Sequence, residues 1–293
     1  FQYAAALGDL DDLRALANYS IDRHYPDIAT ADDRYLGLLQ SVIDRQAQLM
    51  AKWMLVGFIH GVMNTDNVTI SGETIDYGPC AFMESVDPLT VFSSIDEGGR
   101  YAFGRQPAIA HWNLTRFAET LLPLIADNPE DAIAPATELL ETFPETFSRY
   151  WHDGIARRLG ISTHVEGDDV LANDLMQLLQ ERRLDLISTM RSLSAHLRGD
   201  DIDLGDWTTR WESRLQLENA TIEELVQRLD AINPIYVPRN HLVEEALAQA
   251  VAGDLDPFMH MLERVTHPYE RVAGADRFAE PGDPAPGYRT YCG

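Results

Sequence analysis

Apolar residues recur at helical spacing along most of the chain. Leu10, Leu13, Leu16 and Ala17 give residues 9–19 one apolar face. Pro26 disfavours helix at Tyr25 and so predicts a stop there. Residues 32–56 read as a long helix with Leu36, Leu39, Val42, Ile43, Ala47, Met50, Trp53 and Met54 on its inner side. The same spacing predicts helices over 108–125, 132–159, 168–181, 184–197, 207–215, 222–232, 241–252 and 257–264. Thr221 followed by Glu224 has the form of a capping box, and Asp169 and Asp206 suit helix N-termini. Alternation at residues 68–70 and 74–76 predicts two short strands paired around Ser71-Gly72. Residues 89–106 read as loop, with Gly98, Gly99 and Gly104, and 273–293 as an irregular tail. With no internal repeat and no linker, one α-rich domain over 1–293 is the simplest organisation.

Composition narrows the partners. The 293 residues are 45% hydrophobic, enough for a substantial core, and carry a formal charge of −24. Such a charge argues against phosphate backbones and anionic membranes as general partners. Lys52 is the only lysine among 23 basic residues, so 23 − 1 = 22 are arginine. This balance fits either solubility in high salt or a GC-rich genome that encodes Arg in place of Lys. The two cysteines, Cys80 and Cys292, make neither a disulfide framework nor a zinc site. No apolar run reaches membrane-span length and no signal peptide is visible, which makes the cytoplasm the default compartment. The start at Phe1, without an initiator Met, predicts an incomplete gene product.

The chemistry concentrates in residues 60–79, HGVMNTDNVTISGETIDYGP. Asp66 and Asn67 stand side by side, and Asp76 follows the predicted hairpin. Oxygen ligands at this spacing suit Mg²⁺, which takes one or two carboxylates together with phosphate oxygens and water. The layout resembles the catalytic and metal loops of kinase-like enzymes, with His60, Gly61 and Asn67 on the His, Gly and Asn positions. The usual base position falls on Val62, which cannot take a proton, and Asp66 is the carboxylate nearby.

More specifically, HGVMNTDN, TIDYGP and FME resemble the selenoprotein O family of kinase-fold protein adenylyltransferases. FQYAA, RHYP, GRYAFGRQP, NPIYVPRNHLVEEAL, HPYE and YRTYCG extend that resemblance from Phe1 to Gly293. The resemblance implies a mainly α kinase-like C-terminal lobe whose small β-hairpin carries the metal site. It also implies AMP transfer from ATP to Ser, Thr or Tyr hydroxyls of proteins. Asp66 matches the family's proton acceptor. Asn67 and Asp76 match its ligands for Mg²⁺, with Mn²⁺ as the alternative, and Asp76 also lies against the nucleotide. The family's Gly-rich loop, phosphate-binding Lys and Arg residues are not in this sequence, and Lys52 does not replace that Lys. The fragment by itself is therefore expected to be weak or inactive. The rival expectations are a phosphotransferase of the same fold and a non-catalytic helical interaction module. Some bacterial members of the family resemble a redox-switched form, which raises a Cys80–Cys292 pairing against free thiols. His60 is expected to serve structure rather than catalysis.

Overall fold

The structure, a computed structural model, describes residues 1–282 and 287–291. It is mainly helical, as the periodicity predicts, with one small antiparallel sheet. The chain divides into two compact units: residues 1–52, 62–78 and 105–151 form the first, and residues 53–61, 79–104 and 152–293 the second.

In the first unit, α1 (Gln2–Ala6) leads to α2 (Leu10–His24). Asp9 caps α2 by accepting from the backbone N–H groups of Asp11 and Asp12, and Pro26 follows its end. The apolar stripe of α3 (Arg34–Leu55) buries Leu38, Leu39, Val42, Ile43, Ala47 and Met50. Lys52 is exposed and donates to Gln48 on its own helix.

The sheet pairs β1 (Phe58–Ile59) with β2 (Ala81–Phe82), Phe58 opposite Phe82 and Ile59 opposite Ala81. These strands, in the second unit, bracket residues 60–80 in sequence. The hairpin expected inside that segment is reduced to a single antiparallel bridge, Val68 to Thr74. Thr69 explains the reduction. Its hydroxyl donates to the Glu73 carbonyl and accepts from the Glu73 N–H, so a side chain occupies groups that a ladder would use.

The first unit continues with α4 (Gln106–Ile125), α5 (Pro129–Glu141) and α6 (Phe143–Arg158), which runs on into the second. The single helix expected over 132–159 is two. Pro144 has no N–H to give Leu140, and the Thr142 hydroxyl turns back to the Leu139 carbonyl at 2.7 Å.

The second unit adds α7 (Asp168–Arg182), α8 (Leu186–Leu197), α9 (Asp206–Leu215), α10 (Ile222–Ile232), α11 (Asn240–Val251) and α12 (Asp256–Thr266). The capping box of Thr221 and Glu224 is formed at α10. The core gathers Ile59, Met83, Leu159, Leu175, Met190 and Leu229 around Trp211. Trp207 and Trp211 stack at 5.9 Å, and their indole N–H groups donate to the Leu171 and Leu159 carbonyls.

Residues 233–240 stitch this unit together. Arg158 and Asn233 exchange hydrogen bonds, Arg239 grips Asp185 with two nitrogens at 2.8 and 3.0 Å, and Asn240 donates to the Phe82 carbonyl. Buried charge is concentrated at Arg214, which binds Asp168 at 2.5 Å and Glu218 at 3.0 Å. Near the tail, Thr290 pairs with Ser93 in a parallel bridge, and its hydroxyl donates to the Pro79 carbonyl at 2.7 Å. Cys80 is half-buried, and Cys292 lies outside the described residues.

Candidate functional site

Asp66, Asn67 and Asp76 all lie in the first unit. Asp66 and Asn67 occupy a short 3₁₀ turn, Thr65–Asn67, that follows the buried residues Val62 and Met63. Asp66 is exposed. Asn67 is half-buried, and its Nδ2 donates to the Val62 carbonyl at 3.0 Å. That bond commits the nitrogen end of the amide and leaves Oδ1 as the end a cation could use. Asn67 stands directly before Val68, and Asp76 two residues after Thr74, so the two flank the one bridge of the loop.

Asp76 is exposed, with a backbone φ of +54°. A left-handed conformation at a residue other than glycine is uncommon, though Asp accepts it more readily than most. Such strain is commonly held at functional positions by the structure around them.

Three side chains hold the backbone of this loop. The Tyr25 hydroxyl donates to the Ile70 carbonyl, Gln46 Nε2 donates to the Thr69 carbonyl at 2.5 Å, and Asn113 Nδ2 donates to the Met63 carbonyl at 3.0 Å. Burial pushes the Tyr25 phenol up to about 12; nearby Arg45 opposes the rise and Asp44 adds to it. Gln46 and Asn113 are loop anchors absent from the residues singled out by sequence. Their signal was available: each is an uncharged polar residue on a helix face otherwise turned inward, Gln46 between Ile43 and Met50, and Asn113 between Ala110 and Leu114.

In the second unit, His60 is 0% exposed and packs against Trp53, with ring centroids 5.3 Å apart, and against Phe58. That setting suits a structural residue. Gly61 has a φ of +86°, and a Cβ there would lie 2.8 Å from the Pro79 carbonyl oxygen, so the turn tolerates only glycine.

Among the described residues no group of three or more His, Cys, Asp or Glu side chains could hold a metal ion. Asn67 and Asp76 supply one amide oxygen and one carboxylate. This is a hard-oxygen donor set suited to Mg²⁺ or Mn²⁺ only when phosphate oxygens and water complete the shell. Among the described residues no helix is long and apolar enough to cross a membrane.

A family model described as protein adenylyltransferase SelO matches residues 1–266. The chain is 49% identical to the protein nucleotidyltransferase YdiU of Mycolicibacterium smegmatis, covering all of this chain and 60% of that protein. It is 49% identical to the protein of the same name from Geobacillus kaustophilus and 48% identical to that from Cereibacter sphaeroides, covering 62% of each. The chain thus spans about three-fifths of the length of these relatives.

Proposed function

Because this chain belongs to the SelO family, we propose that the protein it comes from transfers AMP from ATP to hydroxyl side chains of target proteins. Asp66 accepts the proton of the attacking hydroxyl. The freed electron pair forms an O–P bond at the α-phosphorus, the bond to the β-phosphate bridging oxygen breaks, and pyrophosphate leaves with that electron pair. Asn67 Oδ1 and the Asp76 carboxylate hold a divalent cation, Mg²⁺ or Mn²⁺. When bound, that ion neutralises phosphate charge as it builds up in the transfer.

The observation that carries this reading is the division of labour within one loop. Val62, at the position where a kinase keeps its base, is buried and apolar, whereas Asp66 is exposed. A proton acceptor must reach the hydroxyl it activates, and the carboxylate beside Asn67 is open to a substrate where position 62 is not. The nitrogen of Asn67 is held by Val62, so the residue that lost the base role still orients the cation ligand. Phosphotransfer by the same fold would need a base at position 62.

The test uses the full-length protein with a protein acceptor and ATP labelled at the α- or the γ-phosphate. Label carried only from the α-phosphate is the expected result. Label carried only from the γ-phosphate would contradict it.

A further inference from the structure

The first unit holds a cavity of about 350 Å³ whose lining includes Asp66. Much of the wall is apolar, from Val42, Leu114 and Phe117, and Phe117 meets Phe1 edge to face at 4.9 Å. The volume lies at the small end of the range for ligand pockets. Two buried amides are in the lining, Gln46 and Asn113, which are 0% and 4% exposed. Each has spent its nitrogen on the loop backbone, Gln46 on the Thr69 carbonyl and Asn113 on the Met63 carbonyl. Each keeps a buried carbonyl oxygen, Oε1 or Oδ1, with no hydrogen-bond partner among the described residues. Buried acceptors without donors are rare and costly. Two of them in the lining of one apolar cavity, beside the exposed Asp66, describe a site that wants a hydrogen-bond donor on an apolar body.

We propose that this cavity is a subsite for an aromatic side chain of the target protein carrying an O–H or N–H at its tip. It seats that side chain next to the hydroxyl presented to Asp66, and so contributes to target choice. The proposal rests on the nucleotidyl-transfer reading above. A chain segment crossing Asp66 gives one residue to the carboxylate and a neighbouring residue to the cavity. There the ring covers Val42, Leu114 and Phe117 and its donor meets an amide oxygen. Phenylalanine fills the same apolar volume and leaves both oxygens unpaired, so it binds less well than tyrosine or tryptophan.

The probes are p-cresol and toluene, with the full-length protein labelled at valine and leucine methyl groups for NMR. The expected result has three parts. p-Cresol shifts the methyl signals of Val42 and Leu114 and binds at least about fivefold more tightly than toluene. In the transfer reaction it raises the KM for the protein acceptor and leaves the KM for ATP unchanged. Val42→Phe, which fills the cavity, abolishes the fragment binding; Val68→Phe, on the half-buried side of the same wall, does so with less risk to the fold. Equal binding of the two fragments, or transfer that p-cresol leaves unchanged, would overturn the subsite alone. Absence of transfer from α-labelled ATP by the wild-type protein with any acceptor would overturn the nucleotidyl-transfer reading, and the subsite with it.

Discussion

Asn67 donates its side-chain amide to the backbone carbonyl of Val62 across 3.0 Å, closing the tight turn that carries Asp66. Its nitrogen fixes the turn, and its oxygen is the end left for the proposed cation. Asn67→Ala removes both, and Asn67→Asp removes only the donor. In the full-length protein Asn67→Ala should weaken Mg²⁺-dependent nucleotide binding by roughly 10–100-fold, with Asn67→Asp between it and the wild type. Nucleotide titrations at several Mg²⁺ concentrations check this; equal affinities for wild type and Asn67→Ala would refute the ligand role.

Asp76 separates function from stability. Its left-handed backbone costs free energy that glycine would not incur. Asp76→Gly should leave the melting temperature unchanged or raised while abolishing Mg²⁺-dependent nucleotide binding. Differential scanning calorimetry with a parallel binding titration reads both. A variant that melts lower and still binds nucleotide would show that the carboxylate serves the fold.

Tyr25 ties the end of α2 to the loop through the Ile70 carbonyl. Tyr25→Phe leaves that carbonyl without its donor and should cost about 1–3 kcal/mol in urea unfolding. The pH dependence has a definite sign. The folded phenol is raised, to about 12, above its ordinary value near 10. Its contribution is complete below the unfolded value and is lost as pH rises from there through the folded one. Ultraviolet titration of the phenolate, compared with Tyr25→Phe, follows that loss.

Arg214 lies between Asp168 and Glu218 in the second unit, with all three side chains buried. Burial alone would raise both carboxyls. At Asp168 the hydrogen bonds from Arg214 and the Val165 N–H, with the charge of Arg214, outweigh it. At Glu218 hydrogen bonds from Ser162 lead, with Arg214 after them, and both groups end below the usual carboxylate range. Their stabilisation is therefore present above the ordinary carboxylate pKa and is lost as pH falls through the lowered folded values. Arg214→Met strands two buried acids and should cost about 3–5 kcal/mol at neutral pH. Its stability should also lose the wild type's steep fall in acid. Urea unfolding from neutral pH to about pH 3 measures both.

The long helices were legible because their burial follows a 3.6-residue period over many turns: Leu39, Val42, Ile43, Ala47 and Met50 on α3 are all buried. The break between α5 and α6 was legible in principle at Pro144, but the apolar pattern runs through it and overrode the proline. The sheet was not legible. Phe58-Ile59 ends an apolar stretch continuous with α3, and its partner Ala81-Phe82 lies beyond the whole of residues 60–80, so no local period marks the pairing. The triad of Arg214, Asp168 and Glu218 was hidden for the same reason, since Arg214 and Asp168 are 46 positions apart. Asp66, Asn67 and Asp76 stood out because chemistry-bearing residue types crowd into one short loop. The amides that hold that loop, Gln46 and Asn113, did not, because a polar residue on an inward helix face becomes informative only once its partner is known.

The most direct test is to grow crystals of the full-length protein with a non-hydrolysable ATP analogue and Mn²⁺, and to record anomalous scattering from the manganese. The account predicts a peak at roughly 2.0–2.3 Å from both Asn67 Oδ1 and an Asp76 carboxylate oxygen, with nucleotide phosphates completing the shell. A manganese peak held by other residues, with Asn67 and Asp76 both turned away from the nucleotide, would contradict it.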